Sequence, residues 1–196
     1  MPSSVHPLER MPAAAAFLLA VTTLAWWPQA ALATPEPTVS AALKDTQPVG
    51  QARLRVWGFE VYDASLWASP GFNPQAFEQQ RFALELSYLR DFKGRKIAER
   101  SIEEMRGIGP FSPEQASRWL EAMSALFPDV QRGDRITGVH VPGSGARFYW
   151  NGRLRGELAD AQFAQLFFGI WLSPNTSQPA MRATLLQAVA APGRTP

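Results

Sequence analysis

Residues 135–158, RITGVHVPGSGARFYWNGRLRGEL, decide the fold class of this chain. Residues 135–142 are rich in β-branched side chains and alternate in polarity, as a half-buried strand does. The run Gly143-Ser144-Gly145 ends that strand, and residues 148–150 lead into Asn151-Gly152, the strongest short signal for a two-residue hairpin. Residues 154–158 supply the return strand. The stretch therefore predicts a three-stranded antiparallel meander.

Two further extended segments precede the meander. Residues 82–88 alternate cleanly between large apolar and smaller or polar side chains, which predicts a strand. Residues 54–67 are also extended, but their alternation changes register around Gly58. We interpret this segment as one bent or bulged strand.

Helical spacing predicts four helices. Apolar residues recur every three or four positions around 97–105, and Ser112-Pro113-Glu114-Gln115 has the pattern of a capping box that starts a second helix. Asp160 can cap a third helix over 161–172, and a last helix runs over about 179–189. The preceding Asn175-Thr176-Ser177 is interpreted as a turn. Strands, two helices, a meander and two helices predict an α+β domain with one antiparallel sheet, over residues 49–189.

The N-terminal segment of the chain predicts export. Residues 1–33 have the pattern of a signal peptide, with Arg10, an apolar run over 13–27 and the small-x-small site Ala31-Leu32-Ala33. Residues 34–48 are predicted to be a flexible lead, and residues 190–196 a disordered tail. We expect a periplasmic protein with no stable membrane insertion after signal cleavage.

Composition excludes several classes of function. The chain has no cysteine, so thiolate metal sites and thiol nucleophiles are excluded. His140 is the only histidine after the signal, so neither a His-based metal site nor a Ser-His-acid triad is expected. A net charge of +2, with arginines dispersed among acids, argues against nucleic-acid binding. We expect no metal and no cofactor.

Six motifs in one order carry a family resemblance. They are Arg53; FEVYDASLW, residues 59–67; YLRD, residues 88–91, before the helix at 97–105; GD, residues 133–134; FYWNG, residues 148–152; and FGIWL, residues 168–172. Together they resemble the exported bacterial branch of the chalcone isomerase-like family, over about residues 50–186. The resemblance implies an open-faced β-sandwich, in which helices pack on one face of an antiparallel sheet and an apolar ligand cleft lies between them. Relatives include true isomerases and fatty-acid-binding members, so the fold alone does not settle the function.

The resemblance also assigns candidate ligand-binding residues. The family's arginine on the first sheet strand corresponds to Arg53, with Arg55 as the alternative. The isomerase threonine on the following strand corresponds to Tyr62, and fatty-acid-binding members also have a tyrosine at that position. The tyrosine and asparagine of the isomerase helix correspond to Ile97 and Glu104, and a C-terminal threonine or serine falls near Phe168. Most of the polar groups that would polarise a ketone are therefore missing. No catalytic residue is assigned.

These residues predict a non-catalytic binding protein for a fatty acid or similar small apolar ligand. Arg53 would hold the carboxylate by paired hydrogen bonds, and Tyr62 would add a third. The alternative is an isomerase or intramolecular lyase with Glu104 as base and Arg53 as electrophilic stabiliser. A third hypothesis is a scaffold in the cell envelope, which would expose a continuous apolar patch.

Overall fold

The computed structural model describes residues 41–190 as a six-stranded sheet with helices. The predicted signal peptide, residues 34–40 of the predicted lead and the tail from residue 191 lie outside the described residues. The strands are β1 (Gln47–Val56), β2 (Phe59–Ala68), β3 (Phe82–Tyr88), β4 (Arg135–Val141), β5 (Gly145–Trp150) and β6 (Arg153–Leu158). They lie in the order β1-β2-β3-β4-β5-β6, and every neighbouring pair is antiparallel.

The helices occupy two parts of the sequence, one between β3 and β4 and one after β6. Helices α1 (Gly94–Ile108) and α2 (Pro113–Leu126) connect β3 to β4, and α3 (Ala161–Leu172), α4 (Pro179–Leu185) and α5 (Gln187–Ala190) follow β6. A short 3-10 segment, Pro74–Gln79, connects β2 to β3. The α+β class with an antiparallel open-faced sheet is confirmed.

One face of the sheet and the helices share the main hydrophobic core. Its centre is a layer of fully or nearly fully buried aromatic rings from both sides: Phe82, Phe148, Phe163, Phe167 and Phe168. The opposite face is largely polar and carries cross-strand contacts such as Thr137 to Glu85 at 2.9 Å. All residues of the described core lie between 42 and 189, so a chain that begins at Thr34 contains all of them.

The polar face also holds a small apolar cluster around Trp67 and Val139. Leu43, from the segment before β1, is buried against this cluster. Strand β1 itself begins at Gln47. The ordered elements therefore start within residues 41–48, which the sequence analysis assigned to the flexible lead.

Residues 54–67 form a hairpin of two strands, and the interpretation as one bent strand was wrong. Val56 pairs with Phe59, and the two residues between them, Trp57 and Gly58, both have positive φ, 49° and 82°. Two consecutive left-handed residues are the signature of a tight hairpin turn. The expected irregularity is present beside the turn, since the register shifts between Leu54 and Arg55.

Two of the predicted helix starts have the expected caps. The Ser112 side chain accepts from the Gln115 amide, while the Gln115 side chain accepts from the Ser112 amide. Asp160 accepts from the Phe163 amide at 2.9 Å and, through its other oxygen, from the Trp119 indole. The last helix is not continuous, because it ends at Leu185 and restarts at Gln187.

Candidate ligand-binding cavity

A cavity of about 480 Å³ lies between the sheet and the helices. Its walls come from strands β1–β4 and helices α1, α3 and α4, and most of its lining is apolar. The apolar part includes Leu54, Leu86, Ile97, Phe127, Phe167, Ile170 and Met181. One group of polar side chains lies together on its wall: Tyr62 of β2, Arg100 and Glu104 of α1, and Ser177 between α3 and α4. The cavity is therefore apolar with one polar side.

Tyr62 lies at that polar side and is fixed by Trp171. The Trp171 indole N–H donates to the Tyr62 hydroxyl oxygen at 3.0 Å. Burial raises the pKa of Tyr62 well above its usual range, and the nearby Glu104 charge also raises it, while the Trp171 hydrogen bond opposes them. Tyr62 is thus a protonated phenol whose oxygen already accepts a hydrogen bond. Its own hydrogen remains available to donate to a ligand.

Glu104 also lies on the cavity wall. Its side chain is only 15% exposed, although it carries a carboxylate. One oxygen accepts from the Arg100 guanidinium and the other from the Ser177 hydroxyl at 2.7 Å. These two donors compensate the desolvation of the carboxylate. Arg100 lies one helical turn before Glu104 and brings a cation to the same wall.

Helix α1 presents one stripe to the cavity. Ile97, Ser101 and Glu104 are spaced by four and three residues and all line the cavity. The Ser101 hydroxyl donates to the Ile97 carbonyl within the helix at 2.9 Å. The structure therefore brings three of the predicted site residues, Tyr62, Ile97 and Glu104, together around one cavity.

Arg53 is not part of that wall. Its guanidinium forms a paired contact with Asp63, at 2.6 and 2.7 Å, and a 2.8 Å contact with Glu60. Leu54, the next residue, pairs with Tyr62 and lines the cavity, and successive side chains of a strand point to opposite faces. Arg53 therefore lies on the polar face of the sheet.

Arg55 shares that environment, with its guanidinium 2.9 Å from Glu60. Hydrogen bonds from Arg53 and then Arg55 hold the pKa of the Glu60 carboxyl below its usual range. Neither arginine contacts the cavity, so the geometry gives no support to either as a carboxylate anchor. It also does not assemble the pair of Glu104 and Arg53 that the isomerase hypothesis requires.

Phe168 is likewise placed away from the cavity. It is fully buried, and its ring contacts Phe82 edge-on with centroids 4.9 Å apart. Its neighbours Phe167 and Trp171 line the cavity instead. Because one residue turns a helix by about 100°, an assignment displaced by one position falls on a different face.

Sequence reasoning did not identify Arg100, Trp171 and Ser177 as site residues. Arg100 and Glu104 have the i, i+4 spacing of a helical ion pair, and this signal could have identified Arg100. Trp171 belongs to the apolar stripe of its helix and has no local signal of a site. Ser177 lies in the segment interpreted only as a turn, and its contact with Glu104 spans 73 residues of sequence.

Aromatic and basic residues surround one end of the cavity. Val56, Trp57 and Phe59, at the tip of the β1–β2 hairpin, line it together with Arg90 and Lys96. The Arg90 guanidinium lies over the Phe59 ring, 4.7 Å from its centroid. We call Val56, Trp57 and Phe59 the hairpin tip.

A second hollow of about 400 Å³, between the 3-10 segment and the C-terminal helices, contains none of the predicted site residues. Within residues 41–190 no group of three or more histidine or acidic side chains could hold a metal ion. No helix in the same range has the length and apolarity needed to cross a membrane.

Fold and cavity together define an α+β protein with a ligand-sized apolar cavity between an antiparallel sheet and its helices. Residues 42–187 match the family model described as chalcone isomerase-like, and the chain belongs to this family. An uncharacterized protein of Haemophilus influenzae is 30% identical over 141 residues, which cover 71% of this chain and 67% of that protein. The crystal structure of a fatty-acid binding protein of Arabidopsis thaliana matches with a TM-score of 0.59 and 12% identity, over 79% of this chain and 96% of that chain. At that identity, the likeness concerns the fold.

Proposed function

We propose that this protein is a non-catalytic binding protein that holds a fatty acid or a similar amphipathic molecule in the cavity. The observation that carries the proposal is the cavity itself, with an apolar lining and one polar side. Its volume of about 480 Å³ falls within the range of roughly 300–1,000 Å³ that is typical of small-molecule sites. From the pattern of residues 1–33 we propose in addition that the protein acts after export, in the periplasm.

The distribution of polar groups favours an amphipathic ligand. An alkyl chain would contact Leu54, Leu86 and Ile170, while the polar end would meet Tyr62 and Arg100, which line the same cavity. The Tyr62 hydrogen can be donated to a carboxylate, and the Arg100 guanidinium, which pairs with Glu103 and Glu104, adds a positive charge beside it. This arrangement replaces the anchoring role predicted for Arg53. The fatty-acid-binding protein of similar fold supports the same class of ligand.

The arrangement gives less support to catalysis. An isomerase would need groups that stabilise charge developing at the reacting centre. Glu104 could act as a base, but both of its oxygens already accept hydrogen bonds, from Arg100 and Ser177. Arg53, the proposed stabiliser, lies on the other face of the sheet. We therefore keep the isomerase or lyase only as the alternative.

Calorimetric titration with lauric, myristic and palmitic acid tests the proposal. We expect saturable binding of at least one of these acids, and native mass spectrometry of gently purified protein should show a bound lipid. Arg100→Gln should weaken binding by about tenfold, because it removes a charge-assisted contact. The matched control is Arg53→Gln, which removes an arginine from the opposite face and should leave affinity unchanged.

Two results would contradict the proposal. One is the absence of saturable uptake of all three acids and of a copurified lipid. The other is a selective effect of Arg53→Gln, with no effect of Arg100→Gln, since the anchor would then lie outside this cavity. Titration with lauryl alcohol distinguishes a charged fatty acid from an uncharged amphipathic ligand, because this alcohol has the alkyl chain of lauric acid without the carboxylate.

A further inference from the structure

We propose that the hairpin tip, together with Arg90 and Lys96, docks onto an anionic lipid surface. The inference goes beyond the proposed function and does not depend on what the cavity binds. It concerns peripheral contact of one end of the molecule with a bilayer.

The hairpin tip exposes large apolar side chains. Trp57 is 94% exposed, Phe59 is 59% exposed and Val56 is 39% exposed. Single exposed apolar residues are common, but three of them at the turn of one hairpin form an exposed apolar patch. A tryptophan with this exposure contributes almost no burial to the folded state.

Trp57 is also a poor residue for its backbone position. Its φ of 49° lies in the left-handed region, where a bulky side chain is strained and asparagine or glycine is favoured. Asn-Gly would form the same turn with less strain. Neither packing nor turn geometry therefore accounts for a tryptophan here, and such strain is typical of a functional surface.

The cavity that the hairpin tip lines has more cations than acids on its wall, and Glu60, the acid next to Phe59, is paired with Arg53 and Arg55. The lining of this cavity includes the cations Arg90, Lys96, Arg100 and Arg182 but only one acid, Glu104. The exposed Arg90 contacts the Phe59 ring and forms no ion pair with any residue of 41–190. Lys96 is 74% exposed, although Glu99 lies 2.7 Å away. An uncompensated cation stacked on an exposed aromatic ring complements an anionic interface.

The shape of the tip favours a lipid surface over a protein partner. A stable protein interface buries about 800 Å² on each side, whereas a hairpin tip presents only a few side chains. A few residues are enough to bind a bilayer interface, because the tryptophan ring partitions into the headgroup region and nearby arginine or lysine attracts anionic lipids.

Cosedimentation with vesicles tests the proposal, using the chain from Thr34, which holds the whole core. Vesicles of phosphatidylcholine mixed with phosphatidylglycerol are compared with phosphatidylcholine alone. We expect binding to the anionic vesicles that weakens with salt. W57N should reduce this binding by at least about tenfold through lost apolar burial. R90Q should reduce it by about fivefold, the effect of one basic residue near an anionic surface.

Two matched controls lie on β6, at the far edge of the sheet. L154N removes an exposed apolar side chain and R153Q removes an exposed cation, and both should bind vesicles as the parent does. W57N should unfold at the same temperature as the parent or a higher one, so lost vesicle binding cannot reflect unfolding.

Several outcomes would overturn the proposal. They are no binding to anionic vesicles, equal binding by W57N and the parent, or equal losses in the two β6 controls. Dimerisation in analytical ultracentrifugation that disappears in W57N, without vesicle binding, would assign the tip to self-association. Fatty-acid titrations in solution without vesicles report on the cavity, so the two proposals fail separately.

Discussion

The Trp171 indole N–H and the Tyr62 hydroxyl oxygen form a 3.0 Å hydrogen bond that joins helix α3 to strand β2 across 109 residues of sequence. It links the helix layer to the sheet at the cavity wall. Both residues are largely enclosed, so loss of one partner leaves the other without its hydrogen bond in a mostly apolar site.

Tyr62→Phe should therefore lower the free energy of unfolding by about 1–3 kcal/mol. Chemical denaturation measures this change. The control is Tyr149→Phe, which removes a hydroxyl on the polar face and should change stability little. A double-mutant cycle with Trp171→Phe should give a coupling energy of about 1 kcal/mol. A coupling energy near zero would mean that the hydrogen bond does not stabilise the protein.

Glu104→Gln should strengthen fatty-acid binding. The substitution removes the negative charge on the cavity wall and frees Arg100 from its main partner there, while Gln keeps the size of the side chain. We expect affinity for laurate to rise by roughly tenfold and affinity for lauryl alcohol to stay the same, as measured by calorimetry. If both ligands change equally, charge at this wall does not control ligand choice.

Two glycines of helix α1 should respond to alanine in opposite directions. A β-carbon at Gly94 would overlap the Phe127 carbonyl oxygen, so Gly94→Ala should destabilise the protein by about 1–3 kcal/mol. A β-carbon at Gly107 meets no atom within 4 Å. Gly107→Ala should therefore stabilise the helix by about 0.5–1 kcal/mol. Thermal unfolding of both variants measures the contrast, and the same sign for both would refute this packing at Gly94.

His140 should make the protein less stable in acid. Burial lowers its pKa from 6.5, while its ring Nδ1 lies 2.7 Å from the Gln80 carbonyl and its ring stacks on Phe82. The unfolded chain therefore binds this proton more readily than the folded chain does. This contribution to stability is complete above pH 6.5 and is lost as pH falls below that value.

Denaturant titrations across this pH range measure the effect. His140→Gln keeps an N–H donor but does not titrate near neutrality, so its stability should change less between pH 6.5 and mildly acidic conditions. An identical pH dependence in parent and variant would assign the acid sensitivity to other groups.

Most of the fold could be predicted from the sequence because its strands and helices have local sequence signals. The meander follows from alternation and Asn151-Gly152, and the helix starts follow from Ser112 and Asp160. The β1–β2 hairpin was missed because Trp57-Gly58 lacks the usual turn residue at its first position. The extended pattern of residues 54–56 therefore continued into that of residues 59–67 without a recognisable turn signal.

Only part of the candidate site could be predicted from the sequence. Tyr62, Ile97 and Glu104 lie on the cavity as the resemblance implied, but Arg53 does not. The alternation of Ala52 and Leu54 with Arg53 and Arg55 already placed the arginines on the polar face, and the resemblance overrode that signal. Contacts such as Glu104 with Ser177 depend on how distant segments pack, which no local pattern specifies.

The sequential strand order has a consequence for the folding pathway. Three of the five strand pairs join through connections of two or three residues, which close quickly at little entropic cost, and β2 joins β3 through residues 69–81. Only the β3–β4 pair requires closure of residues 89–134, which contain α1 and α2. We therefore expect β1–β3 and β4–β6 to acquire amide protection first in pulse-labelled hydrogen exchange. Docking of these two halves along β3 and β4 should then limit the rate of folding and complete the wall on which the cavity depends.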